Sequence, residues 1–278
     1  MTQRDFLGKV VVITGAAGGL GRALAQAFAA AGARIAALDC DAAGVEALAA
    51  ELRSQGRQAL GLECDVTDAA ACERAMAAAI GTWGPIDVLI NNAGITHRSA
   101  YRRTDPAVTR RVMEVDFFGS VHCTRAALDA LLESRGLIIV ISSVAGFAPL
   151  VARTGYAAAK HALHGFFESL RTELADDGVG VLMVCPSFID TGIDRNALGG
   201  DGQPARHAQQ IVGARAQPED IAADILRAAS NGKHLLLPGR MAKLSWWVSR
   251  IAPRYYARVM ARRLRGEMDD EAEADDAV

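Results

Sequence analysis

Across residues 9–237 the chain alternates short, nearly all-apolar runs with longer segments whose apolar residues recur every three or four positions. Runs of about five residues rich in valine and isoleucine are the pattern of strands buried on both faces, and the longer period is that of helices laid on a sheet. Residues 9–14 (KVVVIT) open the series as a strand. An alanine-rich helical pattern follows over 22–31, with Gly32 where the helix would stop, and 34–39 (RIAALD) is a second strand ending in an acid. The same reading predicts a helix over 42–54, a strand over 58–64, a helix ending near Gly81 and a strand over 86–90. A long helix over 106–133, a strand over 137–141, a helix reaching about Ala175 and a strand over 179–184 come next. A helix over 218–230 and a short strand over 233–237 complete the alternation. Strands alternating with helices throughout predict an α/β fold, one doubly wound parallel sheet of about seven strands in a single domain over 1–239.

Composition narrows the class. The 278 residues are 51% hydrophobic, ample for a large core, and a net charge of -2 gives no support for nucleic acid as a partner. Five cysteines (Cys40, Cys64, Cys72, Cys123, Cys185) without C-x-x-C spacing predict reduced thiols in a cytoplasmic setting. Residues 1–8 lack the apolar stretch of a secretory signal, and no uncharged apolar run approaches the ~18 residues that span a bilayer.

The first turn supplies candidate chemistry. Gly15-Ala16-Ala17-Gly18-Gly19-Leu20-Gly21 stands between a strand and a helix, 18 residues ahead of Asp39. Glycines there let the backbone approach a pyrophosphate, whose charge meets the helix N-terminus. Asp39 can accept hydrogen bonds from ribose hydroxyls, and its carboxylate would repel a 2'-phosphate. No basic residue lies in the loop, so NAD is favoured over NADP. The competing role for Asp39 is a turn or helix-cap residue. Farther on, Tyr156 and Lys160 share a helix face at i,i+4 spacing, 13 residues or more beyond Ser143. An ammonium one turn from a phenol favours the phenolate, which can pass a proton to or from a substrate oxygen that a serine hydroxyl holds. With four tyrosines and four lysines in the chain, such a pair arises by chance roughly 0.06 times, so the cofactor site decides its meaning.

Together these residues resemble the short-chain dehydrogenase/reductase family. Residues 14–21 (TGAAGGLG) match its T-G-x-x-x-G-x-G, 91–94 (NNAG) its fourth-strand motif, and 186–191 (PSFIDT) its P-G-x-x-x-T, while Ser143, Tyr156 and Lys160 match its catalytic serine and Y-x-x-x-K. The resemblance implies a Rossmann-type oxidoreductase whose cofactor lies against Gly15, Gly19, Leu20, Gly21, Asp39, Asp65 and Val66. It extends that site to Asn92, Ala93, Gly94, Tyr156, Lys160, Pro186, Ser187, Ile189 and Thr191. It further implies that Lys160 holds the nicotinamide ribose, Tyr156 transfers the proton and Ser143 positions the substrate oxygen. Two departures stand out: Asp116 where the family commonly has asparagine as a fourth catalytic member, and Ser187 in place of the usual glycine.

The leading expectation is hydride transfer between NAD(H) and an apolar secondary alcohol or ketone of steroid, retinoid or lipid type. Apolar residues 144–151 and Phe188 would line the pocket mouth, and 193–216 would form a lid. The alternatives are a non-catalytic NAD(H)-binding redox sensor on the same fold and an NADPH-dependent ketone reductase. His161 and His164 have no evident third ligand, so no metal is expected. A homodimer or homotetramer follows from the resemblance, through the long helix and the Tyr156 helix. Residues 240–265 form an amphipathic extension, two short helices parted by Pro253. In the second, Arg254, Arg258 and Arg262 oppose Tyr256, Val259, Met260 and Leu264. That pattern suits either packing on protein or peripheral contact with a membrane surface. Residues 266–278 read as a disordered acidic tail.

Overall fold

The structure is a computed structural model, and it describes residues 4–193, 196–206, 210–211 and 213–267. Strand β1 (Val10–Thr14) leads through helix α1 (Gly19–Ala30) to β2 (Arg34–Asp39), and α2 (Ala42–Ser54) to β3 (Ala59–Glu63). Helix α3 (Ala69–Trp83) then crosses to β4 (Val88–Asn91). Helices α4 (Pro106–Met113) and α5 (Gly119–Ser134) precede β5 (Leu137–Ile141), and α6 (Thr154–Glu173) precedes β6 (Gly180–Val184). The chain closes through α7 (Pro218–Ser230), β7 (Leu235–Leu236), α8 (Gly239–Ile251) and α9 (Pro253–Arg263). All seven strands are parallel, in the order β3-β2-β1-β4-β5-β6-β7.

The apolar runs are continuous because each strand is covered on both faces. Val11 and Ile13 point into one core with Leu24 and Phe28 of α1, Leu48 of α2 and Ile225 of α7. Their neighbours Val10 and Val12 point into the other, with Met76 of α3, Leu131 of α5 and Phe167 of α6. Each such side chain, fully withdrawn from water, contributes about 1.5–3 kcal/mol. Strand order reverses between β1 and β4, which opens a crevice at the carboxyl ends of the strands.

Two expectations are corrected. The long helix over 106–133 is not one regular helix: residues Glu114–Phe118 form a wider π-type turn between α4 and α5. The extra residue in that turn rotates Asp116 inward, where it is fully buried. The acidic tail expected from residue 266 begins later. Glu267 is fully buried with its carboxylate 3.2 Å from the equally buried Arg153 guanidinium, and a guanidinium held out of water requires such a counter-charge. The rest of the tail, 268–278, lies outside the described residues.

The extension is seated on the domain. Tyr256, Met260 and Leu264 of α9 and its end form a third apolar cluster with Ala148, flanked by half-buried Phe147, Phe188, Met241 and Val248. Trp246 packs edge-on against Phe147, ring centres 4.9 Å apart. No helix among the described residues is long and apolar enough to cross a membrane.

Candidate active site

The carboxyl ends of β2, β1, β4, β5 and β6 stand in a row along the crevice. They carry, in that order, Asp39, the glycine turn, Asn92, Ser143 and Pro186. A cavity of about 1170 Å³ runs over them. Every residue assigned by the sequence to cofactor or catalysis lines it except Asp116, which lies behind the wall.

The turn after β1 is a backbone cradle. Gly15 has φ +64°, and a Cβ there would come within 2.8 Å of Ala93 Cα; one on Gly19 would come within 2.8 Å of Thr191 Cα. Asn92 braces the turn by donating its amide hydrogens to the carbonyls of Thr14 (2.9 Å) and Gly15 (3.0 Å). Thr14 Oγ1 accepts the N–H groups of Asn92 and Ala93, each at 3.0 Å. Helix α1 begins after Gly18, which offers no side-chain cap, so its first N–H groups are available to an anion. The cradle thus fits a dinucleotide pyrophosphate. Asp39 Oδ2 accepts the Ala17 N–H (3.1 Å) and Oδ1 the Asp41 N–H (3.1 Å). The cap of α2 is Asp41, not Asp39. Asp65 closes the turn after β3 by accepting the N–H and hydroxyl of Thr67.

Ser143 follows β5, and its Oγ accepts the Ala145 N–H at 3.1 Å, which fixes the side chain while leaving the hydroxyl hydrogen to donate. Tyr156 and Lys160 stand in the first turns of α6, with Nζ 5.4 Å from the centre of the Tyr156 ring. Lys160 is buried; its ammonium donates to the Ile141 carbonyl (3.1 Å) and sits 3.1 Å from Asp116 Oδ2. Asp116 Oδ1 accepts the Ile95 N–H at 2.8 Å, and its carbonyl accepts the Ser120 hydroxyl at 3.0 Å. Burial pushes the Asp116 carboxyl up, with Lys160 and the Ile95 N–H opposing. Burial pulls Lys160 down, but Asp116, and after it Tyr156, more than reverse this, leaving Lys160 raised. Ser187 causes no strain: among described non-glycine residues only Arg135 and Ala152 have left-handed φ.

One positioning residue escaped the sequence reading. His97 is fully buried, and its Nε2 accepts the Gly155 N–H at 2.9 Å, tying down the N-terminal turn of α6 just before Tyr156. Burial, aided by Arg153, pushes its pKa down to about 4, so the ring is neutral as this acceptor role demands. No spacing or periodicity singles it out. His161 Nδ1 lies against the Ala157 carbonyl and His164 Nε2 against Cys185 Sγ, and among the described residues no three potential metal ligands cluster.

Comparison with known proteins agrees with this geometry. The family model for short chain dehydrogenases matches residues 9–200. "Dehydrogenase/reductase SDR family member 7B" of Bos taurus is 37% identical over 266 residues, covering 93% of this chain and 82% of the relative. The Drosophila melanogaster "Dehydrogenase/reductase SDR family protein 7-like" is 31% identical over 94% of this chain and 82% of its own length. A short chain dehydrogenase/reductase from Burkholderia phymatum, solved in complex with NAD, superposes with a TM-score of 0.80 at 25% identity, over 91% of this chain and 96% of that one. An alcohol dehydrogenase from Thermococcus sibiricus, complexed with 5-hydroxy-NADP, gives 0.72 at 25% identity, over 82% and 94%. The fold, the glycine turn and the Ser143–Tyr156–Lys160 constellation have one common explanation: the chain belongs to the short-chain dehydrogenase/reductase family of oxidoreductases.

Proposed function

We propose that the protein transfers hydride between NAD(H) and an apolar secondary alcohol or ketone. The observation that carries this reading is that one cavity is lined both by the dinucleotide cradle with Ser143, Tyr156 and Lys160 and by apolar side chains of α8 and α9, among them Met241, Val248 and Met260. A substrate oxygen held by the Ser143 hydroxyl can exchange its proton with the Tyr156 phenol, and the Lys160 ammonium stabilises the phenolate that results when the phenol gives up that proton. The bound nicotinamide supplies the hydride acceptor in oxidation and the donor in reduction. Apolar walls keep water from the reacting carbon and favour substrates with little polarity beyond the reacting oxygen.

The cofactor preference rests on charge. Asp39, Asp41 and Asp65 all line the adenosine end of the cavity, where Ala17, Gly18 and Cys40 offer no cation to a 2'-phosphate. The two solved relatives carry one cofactor of each type, so the preference is argued from these residues alone. NAD should bind at least about tenfold tighter than NADP, a difference of ~1.4 kcal/mol.

The deciding experiment is a panel of apolar secondary alcohols and ketones assayed with both cofactors. Turnover is expected with NAD(H), and Tyr156→Phe should lower it about a thousandfold while NADH binding persists. Tight NADH binding without turnover across the panel would instead support a redox sensor. We also carry forward assembly as a homodimer or homotetramer through the helical segment 106–133 and α6, where Phe118 of the π-type turn is exposed beside Phe117 and near Phe166. Light scattering on the purified chain tests it.

A further inference from the structure

Helix α8 carries a second apolar stripe that faces away from the domain. Leu244, Trp247 and Ile251 recur at i, i+3 and i+7 and are 56%, 63% and 77% exposed; Tyr255 at the start of α9 extends the stripe at 64%. These four are half of the large apolar side chains exposed among the described residues, gathered on two consecutive helices. The surrounding charge has one sign. Residues 240–265 hold eight lysines and arginines and no acid, in a chain whose net charge is -2. Arg254, Arg258 and Arg262 are exposed beside Tyr255, and among the described residues none has a carboxylate partner. Lys243 and Arg250 flank the stripe on α8, Arg250 stacking on Trp246 with its guanidinium 3.1 Å from the ring centre. Leu244 and Tyr255 also line the catalytic cavity, so the stripe is continuous with its mouth.

We propose that α8 and α9 dock this protein on an anionic lipid bilayer, with the stripe entering the interface and the cavity opening toward the lipid. An apolar stripe rimmed by cations matches a surface of acyl chains under negatively charged headgroups. The other apolar face of α9 is buried on the domain, so docking demands no unfolding. The portal rests on the proposed apolar substrate; the docking does not.

The test is sedimentation of the full chain with phosphatidylcholine–phosphatidylserine vesicles at low salt, without cofactor or substrate. The full chain is required because six carboxylates follow at 269–276 and compete for the same arginines. It should sediment with these vesicles and far less with phosphatidylcholine alone. The double variant Trp247→Glu, Ile251→Glu should lose about tenfold or more of that binding. Both positions are exposed and outside the cavity, so its melting temperature and its turnover of a short, water-soluble alcohol should match the wild type. Its KM for a long-chain alcohol dissolved in vesicles should rise. A wild type that stays in the supernatant overturns the docking, as does a variant that sediments equally well. A variant that turns a dimer into a monomer, with neither form binding vesicles, assigns the stripe to a second copy of the chain and also overturns it. Absence of turnover with intact vesicle binding would count against the oxidoreductase reading alone.

Discussion

Asp116→Asn tests how the buried ion pair sets the working pH. The substitution removes a carboxylate whose Oδ2 is 3.1 Å from Lys160 Nζ, which is itself 5.4 Å from the centre of the Tyr156 ring. An ammonium at that distance favours a phenolate by about 3 kcal/mol at an effective dielectric constant of about 20. The carboxylate is no farther from the ring than about 8.5 Å, the two distances laid end to end, and so takes back about 2 kcal/mol. Restoring that amount, reduced to about 1.4 kcal/mol by solvent in the open cavity, is about a tenfold effect. The sign is definite. A more positive potential produces phenolate at lower pH, so the rising limb of kcat/KM for alcohol oxidation should move to lower pH. Asp116 is also the main influence holding Lys160 up against burial, so the limb set by loss of the ammonium should come down too. The assay is log kcat/KM against pH at saturating NAD, with melting temperatures measured in parallel. In the variant the new amide nitrogen faces Lys160 or the Ile95 N–H, which costs about 1–3 kcal/mol of stability. Coincident profiles from a folded variant would refute the reasoning, because they would mean that the carboxylate carries no charge in the working enzyme.

Three further outcomes are expected. Asp39→Ala should narrow the gap between NAD and NADP affinities, measured by titration; unchanged affinities would refute its role against a 2'-phosphate. Glu267→Ala leaves the Arg153 guanidinium buried without its carboxylate and should lower stability by about 3 kcal/mol, read from the urea midpoint; an unchanged midpoint would refute this. Finally, His97 and His164, each pushed down to about 4 from about 6.5 by burial, are neutral in the folded chain and take up protons on unfolding. These two groups therefore make stability fall as pH drops from 6.5 towards 4, together binding about two protons on unfolding near pH 5. A flat urea midpoint between pH 7 and pH 5 would contradict this.

How much was legible before the fold was known depended on the range of each signal. A parallel strand covered on both faces must be apolar along its whole length, so runs such as 137–141 and 34–39 announce themselves. A pyrophosphate cradle needs glycine where the backbone turns, and a phenol and ammonium on one helix face need i,i+4 spacing. These are local requirements, so the sequence alone determined the seven-strand order of elements and, Asp116 apart, cofactor and catalytic residues that all line the cavity. Other features join distant parts of the chain and have no period. His97 reaches Gly155 across 58 positions, and Arg153 reaches Glu267 across 114. The inward turn of Asp116 depends on one extra residue in a helix whose apolar pattern reads as unbroken. Amphipathicity in 240–265 had left the choice between protein and lipid open, because a helix pattern specifies a face but not its occupant. Only the tertiary structure decided that Tyr256, Met260 and Leu264 are buried over the cavity while Leu244, Trp247 and Ile251 remain outside, since burial is a property of what a face meets.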